Sequence, residues 1–268
     1  MFEIHLRESA PESSPRTKPP PRSSSIPVPF TYNPSDDGTD ENLLILLHGL
    51  GDTQVPFGKL GLQLKLPQTA TLALRAPEQI PFLYEQAFEW YTSFDPLGDL
   101  LAQPNPTPAL DLLSTILTHL ISDCGWAPQL MHFFGFAQGG TVASEFALKW
   151  WKAELANQQR NAEYHLRPLG TVVSVSGPLL SYPTLSKLCP TPLLLFHRPP
   201  PADSALPPGA IASFKKGFSH FIEVKMGGAD GMPRSKDEWE PIMHFWSEQL
   251  SKRPTDGLYE VMSGIAPM

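Results

Sequence analysis

Short apolar runs recur along the chain and alternate with longer amphipathic segments. The run at residues 43–47 (LLILL) is apolar on both faces, as in a central strand covered by helices on each side. Residues 26–32 precede it across an Asp-Asp-Gly turn, which predicts an antiparallel opening pair. Further strands are predicted at residues 71–75, 130–135, 169–175, 191–197 and 221–226. The alternation predicts an α/β fold with a mostly parallel sheet and right-handed crossovers.

Two predicted helices follow from local signals. One begins at Thr107 and Pro108, as an N-cap followed by proline at the first helical position. A closing helix is predicted at residues 238–250. The helix after the third buried strand carries three large apolar residues on one face: Val142, Phe146 and Trp150. These helices are expected to cover both faces of the sheet.

Both ends of the chain differ from this pattern. Residues 1–25 are rich in Pro, Ser and charge, and predict a disordered arm because they cannot bury enough apolar surface to offset the entropy of ordering. Their prolines leave open a role as a polyproline II ligand. The α/β domain is expected at residues 26–250, and a short C-terminal tail at residues 251–268.

The composition is that of a globular protein, with 41% hydrophobic and 18% charged residues. A net charge of −7 without a basic block argues against nucleic-acid binding. Cys124 and Cys189 are isolated, so they predict neither a disulfide framework nor a metal site and indicate a reducing compartment. With no signal-peptide pattern and no apolar run of about 18 residues, we expect a cytoplasmic protein without a membrane span.

The most informative motif is an incomplete one. Residues 135–139 read Gly-Phe-Ala-Gln-Gly, which matches the nucleophile elbow Gly-x-Ser-x-Gly with Ala137 at the serine position. A methyl group has no lone pair with which to attack, so no acyl-enzyme can form through it. A glycine loop at residues 48–53 follows the first buried strand, where hydrolases with this elbow supply part of the oxyanion hole. Together the two motifs predict an α/β-hydrolase fold.

On these motifs the chain resembles the carboxylesterase/phospholipase/acyl-protein thioesterase family of small α/β-hydrolases. The resemblance covers about residues 40–250. Its matching segments are residues 47–53, 75–77, 88–91, 135–140 and 197–207. It implies a single domain that hydrolyses carboxylic esters or the thioesters of S-acylated proteins through a serine, an aspartate and a histidine, with no metal or cofactor.

The resemblance assigns the catalytic positions residue by residue. Ala137 stands at the vacated nucleophile position, and Asp203 at the position of the triad acid. The histidine is expected in the loop at residues 227–235, which contains none, and Asp230 takes its position. Two members of the triad are therefore missing, and the sequence resembles decayed catalytic machinery on a preserved scaffold.

The resemblance also assigns binding positions. Leu50 and Gln138 match the residues whose backbone N–H groups form the oxyanion hole. The aromatic segment, made of Phe88, Trp90 and Tyr91, is expected near the pocket, and simple core packing is the alternative role for it. The residues expected at the pocket are His48, Gly49, Gly51, Trp90 and Tyr91.

Three functions stay open at this point. The first is a pseudoenzyme that binds an acyl or carboxylate ligand, an S-acylated protein or another protein. The second is a weak or altered ester or thioester hydrolase, in which Asp230 acts as a general base on water in an apolar pocket that raises its pKa. The third is a scaffolding protein recruited through its Pro-rich arm. The sequence leaves both a monomer and a homodimer open.

Overall fold

The computed structural model describes residues 16–80 and 86–253. In chain order its elements are β1 (Phe30–Asn33), β2 (Asn42–Leu47), α1 (Gln54–Leu64), β3 (Thr69–Leu74), β4 (Glu78–Gln79), β5 (Phe88–Glu89), α2 (Thr107–Ser122), β6 (Met131–Phe136), α3 (Gln138–Arg160), β7 (Val172–Val175), β8 (Leu193–His197), α4 (Ala210–Gly217), β9 (Phe221–Lys225) and α5 (Lys236–Gln249). Seven strands form one sheet in the order β1-β3-β2-β6-β7-β8-β9, and β4 pairs with β5 separately. Every pairing in the large sheet except β1–β3 is parallel.

Helices cover both faces of the sheet and create two apolar layers. One layer joins the sheet to α2, α3 and α4, and the other joins it to α1 and α5. All six residues of β2 are buried, which agrees with a strand covered on each side. The predicted α/β fold is confirmed. Within the described residues, no helix is both long enough and apolar enough to cross a membrane.

The predicted antiparallel opening pair is wrong. β1 does run antiparallel, but it pairs with β3, where Phe30 lies opposite Leu74 and Asn33 opposite Thr71. β2 instead has a parallel partner on each edge, β3 and β6. A strand as apolar as residues 43–47 is stabilised best at the centre of the sheet, where both of its faces are covered. β1, which precedes it in the sequence, therefore lies at the edge of the sheet.

The start of α2 also differs in detail from the prediction. The helix begins at Thr107, whereas Pro106 is the N-cap and makes no side-chain capping bond. The Oδ1 atom of Asn105 accepts a hydrogen bond from the Thr107 N–H at 3.1 Å. Pro108 still occupies the first turn, where its missing N–H removes no helical hydrogen bond.

Residues 16–25 lie against the domain and thus differ from the predicted disordered arm. The backbone N–H of Arg22 donates to the His119 ring at 3.1 Å, and its guanidinium pairs with Asp123 at 2.7 Å. Composition could not reveal this, because the partners lie at the C-terminal end of α2, about a hundred residues further along the chain. The other parts of the predicted arm and tail lie outside the described residues: 1–15 and 254–268.

Candidate functional site

Ala137 joins β6 to α3 in a strained backbone conformation, with φ 47° and ψ −114°. A non-glycine residue held in such a region costs on the order of 1–3 kcal/mol. The Ala137 N–H donates to the Val175 carbonyl at 2.8 Å, and its own carbonyl accepts from the Thr141 N–H at 3.0 Å. The chain therefore keeps the sharp strand–turn–helix geometry of a nucleophile elbow at a residue that cannot attack.

Close backbone packing imposes this conformation. A Cβ atom added to Gly135 would lie 2.2 Å from the carbonyl oxygen of Gly139, and one added to Gly139 would lie 2.3 Å from the carbonyl oxygen of Leu47. On the third side, a Cβ atom at Gly177 would lie 2.5 Å from the carbonyl oxygen of Ala137. The first turn of α3 thus packs directly against three strand ends, and only glycine at these positions leaves enough room for the backbones to approach so closely.

Two backbone donors beside the elbow are unpaired. Nothing in the described part of the chain accepts a hydrogen bond from the N–H of Leu50 or of Gln138. The neighbouring N–H of Gly51, by contrast, donates to the Phe88 carbonyl at 2.9 Å. Gln138 is the first residue of α3, where N–H groups lack a partner within the helix and the helix dipole favours negative charge.

The side chain of Gln138 holds the aromatic segment in place. Its Oε1 accepts from the Trp90 N–H at 2.9 Å, and its Nε2 donates to the Tyr91 carbonyl at 2.9 Å and to the Ser93 hydroxyl at 2.8 Å. Trp90 is 1% exposed and Tyr91 is 8% exposed, so both lie in the core. The sequence indicates a role only for the backbone N–H of Gln138, because no local pattern connects its side chain with residues more than forty positions away.

His48 is a structural residue rather than an exposed pocket residue. The ring is fully buried, with Nδ1 2.7 Å from the Gly49 carbonyl and Nε2 accepting from the Ala76 N–H at 2.9 Å. Burial lowers the pKa of the imidazole and favours the neutral ring. Gly49 is required by close packing, since a Cβ atom there would lie 2.7 Å from the Phe136 ring, whereas Gly51 is favoured by its φ of 83°.

The loops after β8 and β9 meet at Asp230. Its carboxylate accepts hydrogen bonds from the Ser204 hydroxyl, from the Ser204 N–H at 3.2 Å and from the Gly231 N–H at 2.9 Å. These bonds, the one from the Ser204 hydroxyl above all, lower the pKa of Asp230. The expectation of an apolar pocket that raises this pKa is therefore wrong. Asp203, the residue before Ser204, is exposed.

His132 and His244 lie away from this edge. His132, in β6, is fully buried and contacts the Thr171 hydroxyl at 3.0 Å and the Asn42 side-chain oxygen at 3.2 Å. Burial lowers its pKa to about 3, so the ring is neutral. His244 lies inside α5, where its Nδ1 is 3.6 Å from Glu248. Neither of these two histidines therefore lies at the edge where the elbow is.

A mostly parallel sheet with a strained strand–turn–helix elbow and a glycine loop at the carboxyl ends of its strands defines an α/β-hydrolase. The model of the Phospholipase/Carboxylesterase family matches residues 34–227, and the chain belongs to this family. The resemblance inferred from the motifs is confirmed.

Relatives and solved structures agree with this assignment. The chain is 39% identical to "Uncharacterized hydrolase UM10204" of Mycosarcoma maydis over 231 residues, which cover 84% of this chain and 82% of the relative. The crystal structure of esterase PE8 superposes with a TM-score of 0.65 at 23% identity, over 83% of this chain and 99% of that one. The crystal structure of Zea mays acyl-protein thioesterase 2 superposes with a TM-score of 0.63 at 20% identity, over 84% of this chain and 100% of that one. At such low identity, the two structures establish the shared fold alone.

Proposed function

We propose that this protein is a non-hydrolysing member of its family, which binds the acyl carbonyl or carboxylate of a ligand at the elbow without turning it over. The observation that supports this most is the strained conformation of Ala137. The protein retains an elbow that costs on the order of 1–3 kcal/mol although no nucleophile stands on it. Such strain persists where the surrounding structure serves a site.

The unpaired N–H groups of Leu50 and Gln138 are the groups that receive the ligand oxygen in this proposal. They follow the carboxyl ends of β2 and β6, the edge where ligands bind in parallel sheets. Backbone N–H groups at a helix N-terminus favour an oxygen that carries negative charge. A carbonyl or carboxylate oxygen is therefore the ligand group with the best match.

Loss of turnover follows from the missing side chains. Losing the nucleophile alone lowers turnover by about 10⁶-fold in a serine hydrolase. Asp230 accepts three hydrogen bonds and has a lowered pKa, so it is a poor base for activating water. In the weak-hydrolase alternative, only the N–H groups remain to stabilise the transition state. Such stabilisation gives a rate roughly 10³–10⁴-fold above that of the reaction in water.

The proposal is tested by hydrolysis of p-nitrophenyl butyrate and of an acyl thioester. The proteins compared are the native chain, Asp230→Asn, Ala137→Ser, and Ala137→Ser combined with Asp230→His. We expect equal background rates for the first two and a measurable gain in the double variant, which regains a hydroxyl and an imidazole. Ala153→Ser, on the exposed side of α3, is the control for an added hydroxyl.

Binding is measured on the native chain by the shift of its unfolding midpoint with octanoyl thioester. We expect stabilisation without release of thiol, and Ala137→Leu to remove it by filling the elbow, whereas Ala153→Leu retains it. Native turnover that Asp230→Asn abolishes would contradict the proposal and favour the altered hydrolase.

A further inference from the structure

Arg198 is a buried arginine whose guanidinium is only partly paired. It follows β8 directly, and its side chain is 1% exposed. A single nitrogen, Nη1, makes all its hydrogen bonds: to Glu238 Oε1 at 2.7 Å, to the Gly227 carbonyl at 2.9 Å and to the Met226 carbonyl at 3.4 Å. The nitrogens Nε and Nη2 are buried without a partner among the described residues.

Two unpaired N–H groups on a buried cation need an explanation. Each buried donor left without a partner costs about 1–3 kcal/mol, and a charged one costs more. Native proteins leave few such groups, and those that remain often mark a site for an ion, a water molecule or a ligand. The side chain of Glu238 already balances the charge of Arg198 through Nη1, so the unpaired edge is not needed for the ion pair.

The unpaired atoms are concentrated at the ligand-binding edge of the sheet. Four of the eight unpartnered buried side-chain atoms in the described ranges belong to residues that directly follow a strand of the parallel sheet. They are Arg75 Nε, Ser176 Oγ, Arg198 Nε and Arg198 Nη2. Open parallel sheets bind their ligands at this edge.

Ser176 follows the strand that neighbours β8, at the same edge of the sheet. It follows β7 directly, its N–H donates to the Phe196 carbonyl at 2.8 Å, and its backbone has φ 55°. A positive φ is uncommon for a residue with a side chain and persists mainly where a site requires it. Two neighbouring strands thus end in a residue with an unpaired buried donor, although the two residues are far apart in sequence.

The cover over Arg198 is a glycine-rich loop. Residues 227–229 are exposed, and a Cβ atom at Gly228 would lie 3.2 Å from Arg198 Nη1. Gly228 itself has φ 126°, a conformation reserved for glycine. Exposed residues of this loop therefore contact the guanidinium on the side of Nη1, the nitrogen that is already paired.

We propose that Arg198 binds a carboxylate of a small organic acid, with Nε–H and Nη2–H each donating to one carboxylate oxygen. These two N–H groups are parallel and lie in one plane, which is the geometry that matches a planar carboxylate bidentately. The site is distinct from the elbow, since it uses a side chain two strands along the sheet rather than the N–H groups of Leu50 and Gln138.

The test reads the Arg198 Nε–H group itself. Uniformly ¹⁵N-labelled full-length protein is titrated with sodium butyrate, with butyramide of the same shape and no charge, and with inorganic phosphate, all at constant ionic strength. The Arg198 Nε–H signal is assigned by its absence in Arg198→Lys. We expect butyrate to shift this signal saturably and butyramide to leave it unchanged.

The affinity of the variants supplies the second measurement. Arg198→Lys keeps a charge for Glu238 but lacks the parallel donors, so we expect butyrate to bind about tenfold more weakly to it. Arg22→Lys, the same change in an exposed ion pair, is expected to leave butyrate affinity unchanged. The proposal is overturned if neither butyrate nor phosphate shifts the Arg198 Nε–H signal. It is also overturned if phosphate shifts the signal and butyrate does not. Neither outcome bears on binding at the elbow.

Discussion

The carboxylate of Asp230 accepts hydrogen bonds from both the hydroxyl and the backbone N–H of Ser204, and thereby joins the loop after β9 to the loop after β8. In the family resemblance these loops supply the histidine and the acid of the triad. Here a carboxylate and a hydroxyl connect them instead. The two loops are thus connected at the sheet edge without an Asp–His pair.

Replacing Ser204 by alanine is expected to raise the pKa of Asp230 toward its ordinary value. The hydrogen bond from the Ser204 hydroxyl is the main cause of the lowered pKa, since it stabilises the ionised carboxylate. The measurement is the pH dependence of the Asp230 carboxyl-carbon resonance. Ser213→Ala removes an exposed hydroxyl on α4 and serves as the control. An unchanged titration in Ser204→Ala would show that the backbone donors alone determine this pKa.

Glycine at position 137 is expected to stabilise the protein by about 1 kcal/mol. It relieves strain on the order of 1–3 kcal/mol at φ 47°, at an entropic cost of about 0.5–1 kcal/mol. Ala153→Gly is the matched control on the exposed side of α3, and we expect it to destabilise by about 1 kcal/mol. Urea unfolding of both variants measures the difference. The same sign for both substitutions would contradict a strained elbow.

Gln138→Leu is expected to destabilise the protein by about 3 kcal/mol. The substitution keeps the volume but leaves the buried Trp90 N–H and Tyr91 carbonyl without partners, at about 1–3 kcal/mol for each such group. The free energy of unfolding measures this loss. Gln159→Leu, exposed near the end of the same helix, should stay within about 0.5 kcal/mol of native. If the two variants are equally stable, the amide of Gln138 does not hold the aromatic segment.

The Arg198–Glu238 pair predicts a specific loss of stability in acid. The hydrogen bond from Arg198 is the main cause that lowers the pKa of Glu238 from 4.5 to about 2. A carboxyl whose pKa is lower in the folded state stabilises the protein at any pH above the pKa that it has in the unfolded chain. This stabilisation is lost as the pH falls from about 4.5 towards 2.

The measurement is the free energy of unfolding of native protein and Glu238→Gln between pH 7 and pH 3. We expect the variant to be about 3 kcal/mol less stable at pH 7, because Arg198 loses its charged partner in a buried position. The difference should narrow below pH 4.5. Glu240→Gln, an exposed change on the same helix, is the control. A difference that stays constant with pH would argue against the ionised pair.

The sequence predicted the parallel sheet well because its central strands are apolar on both faces, as residues 43–47 are. It failed at β1, whose four residues are all half-buried and carry no signal for their partner. At the site it assigned a role to the backbone N–H of Gln138 but none to the side-chain amide, which contacts a segment more than forty residues away.

The sequence by itself determined that the attacking hydroxyl and the basic imidazole are missing, because chemical identity is a property of each side chain: Ala137 has no lone pair, and the loop at 227–235 has no histidine. Only the tertiary structure decided that Ala137 still adopts the elbow, that Asp230 is bonded to Ser204, and that two donors of Arg198 are buried without a partner. Each of these depends on strand ends that meet in space while lying far apart in the chain. The local sequence pattern does not indicate these contacts, because they arise from packing between strands that are distant in the chain.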